Sequence, residues 1–147
     1  MGLKTTLQSD LKDAMRHGEE MRKSTLRMAL SAMRLAEIEE GSPMDEFAYL
    51  AVIQKEIKAR RDTISDAEKA NRPEMITQAE QEIKILQTYL PPALSPQELE
   101  DLVKAAINES GASSIREMGQ VMKILLPQLQ GRATGNQASQ VVRKLLQ

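Results

Sequence analysis

The chain has 147 residues, room for one domain or two small ones, and its charges nearly cancel at 20 Lys plus Arg against 21 Asp plus Glu. It contains no Cys, no Trp and one His, so a disulfide framework, a Cys/His zinc site, a Cys nucleophile and a Cys-ligated cluster are excluded. Ala, Leu, Met, Glu, Gln, Lys and Arg supply 89 residues while Ile, Val, Phe and Tyr supply 18, a ratio that predicts an all-α fold.

Leu3, Leu7, Leu11 and Met15 recur every four residues and predict a first helix over Leu3 to His17, closed by Gly18. The start MGLKTT matches the loose myristoylation pattern, Gly2 followed by Thr6, yet the leucine periodicity already begins at Leu3. A second helix spans Glu20 to Glu40, with Leu26, Ala29, Leu30, Met33 and Ile38 in helical period and Gly41 behind it. Ser42, Pro43 and Asp45 read as N-cap, first helical residue and first-turn acid of a third helix. Its stripe is Phe47, Leu50, Ile53, Ile57 and Ile64, and it reaches Ala70. Pro73 restarts the pattern for a fourth helix carrying Ile76, Ala79, Ile83, Leu86 and Leu90.

Pro91-Pro92 neither donates backbone hydrogen bonds nor continues a helix, so a boundary is expected there, between domains 1–91 and 92–147. The first is a bundle of about four helices and the second a three-helix domain. Ser95-Pro96-Gln97-Glu98 predicts a capping box for helix five, which buries Leu99, Leu102, Val103, Ala106 and Ile107 and ends at Gly111. Ser114 and Glu117 suggest a second box for helix six, which Pro127 shortens. Residues 130 to 137 read as a glycine-bracketed loop before a terminal helix with Val141, Val142, Leu145 and Leu146.

No nucleophile elbow, phosphate loop, dinucleotide fingerprint or metal-binding acidic loop occurs. His17 lies beside helix-end carbonyls and reads as an ordinary C-terminal residue. Glu19-Glu20 and Glu39-Glu40 are poor chelates, since neighbouring helical side chains point about 100° apart. Met118 and Met122, with Val121 and Leu125, have the spacing of a buried face. No apolar run approaches the roughly 20 residues that cross a bilayer, and the N-terminus lacks a secretory signal's apolar core. No membrane and a cytoplasmic location are expected.

Charge is unevenly spread. Residues 1 to 110 hold 15 bases and 20 acids, whereas 111 to 147 hold five bases (Arg116, Lys123, Arg132, Arg143 and Lys144) and one acid, Glu117. Such an excess suits a polyanion and equally suits a solvated helix surface. In KEIKARRD, residues 55 to 62, Lys55, Lys58 and Arg61 share one side and are spaced to follow phosphates. Glu56 and Asp62 also make an ordinary salt-bridged exterior of the same segment. In GRATG, two glycines around Arg132 permit tight turns that expose it, with nearby N–H groups, to an anion; structural turns use glycine in the same way.

LRMALSAMRLAEIE (26 to 39), IKARRDTI (57 to 64), YLPPALS (89 to 95), EMGQVMKILLP (117 to 127) and GRATG (131 to 135) resemble, in order and spacing, the YqeY family, also called GatB/YqeY-domain proteins. The resemblance covers nearly the whole chain. Residues 92 to 147 are similar to the helical tail domain of the B subunit of the bacterial tRNA-dependent amidotransferase, which converts glutamate or aspartate charged on tRNA into the amide. The resemblance implies that this tail helps engage tRNA, while the chemistry belongs to a cradle domain that has no counterpart here. The family loop usually reads GRADG; here Thr134 stands where the acid is expected.

The expectation is a non-catalytic, tRNA-associated or translation-associated binding module without metal or cofactor. Its phosphate contacts are Arg132, Lys123, Arg143 and Lys144, with Lys58 and Arg61 as a second patch. Its partners are tRNA and, in trans, an amidotransferase or other translation protein. The alternatives are a helical protein-protein adaptor and an accessory to an amidotransferase, a carbon-nitrogen ligase that takes its amide from glutamine.

Overall fold

The computed structural model describes residues 2–147, and among them it contains helices and no strand, the all-α fold that the composition predicts. The helices are α1 (Leu3–Arg16), α2 (Glu20–Glu40), α3 (Glu46–Lys69), α4 (Pro73–Gln87), α5 (Pro96–Ser110), α6 (Met118–Leu129) and α7 (Gly135–Leu146), with a short 3-10 helix at Ile115–Glu117 before α6. Two compact units result, one ending at Leu90 and the other spanning Pro91–Gln147.

In the first unit Leu3 and Leu7 of α1, Leu26, Ala29 and Met33 of α2, Leu50, Ile53 and Ile57 of α3, and Ile83 and Leu86 of α4 form one apolar core. Three expected stripe members, Met15, Ile38 and Phe47, are instead exposed. For Met15 the reason is arithmetic. A step of four residues turns about 400°, so a row of fours drifts about 40° per step, and Met15 ends about 120° from Leu3. Ala14 is buried in its place.

Helix starts follow the available acceptors. α3 begins at Glu46, not at Pro43, because the Asp45 carboxylate accepts the Ala48 N–H at 2.8 Å and a charged acceptor suits the positive helix end. The Leu3 N–H of α1 is capped across the fold by both carboxylate oxygens of Glu46, at 3.0 and 3.2 Å. Lys4 and the Tyr49 hydroxyl both donate to Glu37, at 2.8 and 3.1 Å. α4 ends at Gln87, short of Leu90, and the Tyr89 and Leu90 N–H groups tighten into turns on Leu86 and Gln87. Leu90 precedes a proline, which disfavours helical backbone there.

The second unit buries Leu99, Val103 and Ala106 of α5, Val121, Leu125 and Leu129 of α6, and Ala138, Val142 and Leu146 of α7, with Met118 and Met122 packed at its margin. The Ser95–Glu98 capping box forms in both directions. The Ser114 box does not, since the N–H and hydroxyl of Ser113 take the Glu117 carboxylate first. α6 runs through Pro127 to Leu129. Pro127 forfeits only its own donation to the Lys123 carbonyl, and it lies in the last turn, where few bonds remain to be lost.

Candidate nucleic-acid interface

α6 and α7 contain no acid. Val121 and Val142 are fully buried, and a side chain two residues further on lies about 200° round the helix, which puts Lys123 and Lys144 on the outer side. Lys123, Arg143 and Lys144 are exposed, and no described carboxylate lies within ion-pair distance of any of them. Arg143 and Lys144 occupy the last turn of α7, where cations oppose the unpaired carbonyls. The acids of this unit sit mainly on α5, which carries Glu98, Glu100, Asp101 and Glu109.

Arg132 is placed differently. Its Nε donates to the Pro92 carbonyl at 2.8 Å, and one terminal nitrogen reaches a Glu98 carboxylate oxygen at 3.4 Å. Its own carbonyl accepts the Leu94 N–H, also at 2.8 Å. The GRATG loop is thereby fastened to the segment that starts α5. Gln130 and Gly131 take successive left-handed conformations, φ 50° and 76°, to make the turn. Thr134 then caps α7: the Gln137 N–H donates to its hydroxyl at 3.1 Å, and its own N–H donates to the Gln137 side chain at 2.9 Å. Both of those N–H groups are therefore already engaged within the cap. A groove of about 380 Å³ beside the loop is lined by Leu94, Glu98, Asp101, Leu102, Gln128, Gln130 and Arg132. The Ser95 N–H and hydroxyl, and then Arg132, hold the Glu98 carboxyl below the usual carboxylate range.

The four bases of residues 55 to 62 divide in two. Lys58 and Arg61 are exposed on α3 with no ion pair among the described residues. Arg60 is 6% exposed, its Nε donating to Glu82 of α4 at 2.9 Å and its Nη1 to the Glu56 carbonyl and carboxylate at 3.0 and 3.2 Å. The Glu56 partner is legible from its four-residue spacing. The Glu82 partner, 22 residues away, carries no local signal. Glu19 and Glu20 pair with Arg22 and Lys23, and His17 Nδ1 bonds the Asp13 carbonyl at 2.8 Å. Among the described residues no group of three or more His, Asp or Glu side chains is arranged to hold a metal, and no helix is long and apolar enough to cross a membrane.

The described residues thus form two compact all-helical units, with exposed cations on the acid-free helices α6 and α7 of the second. The chain belongs to the YqeY-like protein family, whose sequence profile matches residues 4–146. It is similar to altered inheritance of mitochondria protein 41, mitochondrial, of the yeast Vanderwaltozyma polyspora, at 39% identity over 106 residues. That match covers 70% of this chain and 57% of the relative, so the chain spans little more than half of the relative's length. The protein of the same name from Lachancea thermotolerans is 36% identical over the same shares, and that from Pyrenophora tritici-repentis is 30% identical over 89% of this chain and 73% of its own. All three names are mitochondrial, which overturns the cytoplasmic expectation. Composition misled here because missing cysteines and apolar spans describe a solvent and a redox state, which several compartments share.

Proposed function

We propose that this protein is a non-catalytic tRNA-binding module of translation, working in the mitochondrial setting that the names of its relatives indicate. The supporting observation is the pair of acid-free helices α6 and α7, whose cations Lys123, Arg143 and Lys144 are exposed and hold no ion pair with any described residue. Cations already paired within the protein have little left to offer a phosphate, whereas these three release counterions on binding. The likeness of residues 92 to 147 to an amidotransferase tail makes tRNA the favoured polyanion. Lys58 and Arg61 form a second phosphate patch on α3, and Arg132 positions the loop that leads into α7. Assistance to an amidotransferase in trans follows from the same likeness.

The test compares tRNA affinity of the full chain with that of a Lys123→Ala/Arg143→Ala/Lys144→Ala variant. Three lost phosphate contacts at exposed positions weaken binding by at least about tenfold at moderate salt while helix content is retained. Equal affinity for the two proteins contradicts the proposal. With ATP, glutamine and glutamyl-tRNA, the chain alone yields no amidated product.

A further inference from the structure

The two most exposed apolar side chains of the first unit, Leu35 and Ile38, are neighbours three residues apart near the C-terminal end of α2. Ile38 is 69% exposed and Leu35 58%. Single exposed apolar residues are ordinary, but a contiguous patch on a small protein marks a surface that becomes covered. Between the two helices lies a groove of about 300 Å³ whose lining includes Ala32, Leu35, Ala36, Ala51 and Val52. Small side chains keep its floor low enough to receive a leucine.

Its charges are placed in a self-complementary way. Glu39 and Lys55 also line the groove, and neither forms an ion pair with a described residue. The linker 41–45 reverses the chain, so Glu39, in the last turn of α2, sits at the turn end. Lys55 lies nine residues into α3, about 14 Å away along the helix at 1.5 Å per residue. Leu35, five residues before the end of α2, lies near the midpoint between them.

We infer that this face is the interface of a homodimer whose two-fold axis passes near Leu35. A two-fold partner meets the face with its own copy, so each Glu39 falls opposite the other copy's Lys55, twice, while Leu35 and its symmetry mate fill the grooves. The charges set the antiparallel register and the apolar floor supplies the burial. Glu56, the other charged group of the groove, is engaged by Arg60 and does not compete for Lys55.

Light scattering on the eluting full chain over a dilution series tests this, with circular dichroism as the folding control, since every substituted side chain is outside the core. Wild type runs as a reversible dimer. Glu39→Lys or Lys55→Glu alone weakens the dimer about tenfold or more, because each reversal acts twice across the axis. Leu35→Glu gives a monomer, and the double reversal Glu39→Lys/Lys55→Glu restores the dimer. A wild-type monomer at every concentration overturns the inference. So does a double reversal that dimerises no better than the single ones.

Discussion

A guanidinium withdrawn from water is held in place by the carboxylates that face it, and Arg60 faces two. Replacing it with Ala leaves Glu82, 13% exposed, without its cation and with the Gln78 amide as a remaining donor, and the expected loss is about 3 kcal/mol in urea unfolding. The double variant Arg60→Met/Glu82→Leu removes both charges and is expected to lose much less than Arg60→Ala. A loss under about 1 kcal/mol for Arg60→Ala contradicts a structural role for this residue. Tyr89 makes a second test at this scale. Burial, and then its bond to Asp10 at 2.5 Å, push its hydroxyl from 10.0 up to about 12. Because the folded value lies above the unfolded one, this contribution to stability is complete below pH 10 and is lost as pH rises through about 12. Alkaline unfolding followed by tyrosinate absorbance is expected to show that loss in wild type and a smaller one in Tyr89→Phe.

Caps decide where the elements begin, and Thr134 shows how a loop residue acts through its helix. It stands where the family loop usually carries Asp, and both residues accept an N–H at a helix start. Thr134→Asp is therefore expected to leave stability within about 0.5 kcal/mol, while Thr134→Ala loses about 1 kcal/mol by thermal melting. Equal melting of the two variants contradicts the cap. Signals that rest on neighbours in sequence were readable: the Ser95–Glu98 box, the left-handed Gly41 and Gly111, and Pro73 in the first turn of α4. Those that rest on competition between neighbours were not. Ser114 loses Glu117 to Ser113, and Asp45 takes the cap assigned to Ser42. The site was legible in the same uneven way. Exposure of Lys123 and Lys144 follows from helical period, whereas the turning of Arg132 toward Pro92 depends on residues 40 positions apart.

At the scale of the whole molecule, the break after Leu90 separates a core of α1 to α4 from a core of α5 to α7, and we propose that the two units are separate folding domains. Brief proteolysis is expected to give two resistant fragments meeting near residue 90, as cleavage favours chain that packs least. First cuts inside α2 or α6 contradict that division. The charges divide along the chain as well, with four of the second unit's acids on α5 and none on α6 or α7. The charged side chains within α6 and α7 are therefore all positive. The most direct measurement of the proposed binding is tRNA affinity over a salt series for wild type, Lys123→Ala and Arg143→Ala/Lys144→Ala. The account predicts that affinity falls as salt rises and that each lost contact lowers the log-log slope by about 0.7 to 0.9. A slope near zero in wild type, or slopes unchanged in the variants, would contradict it.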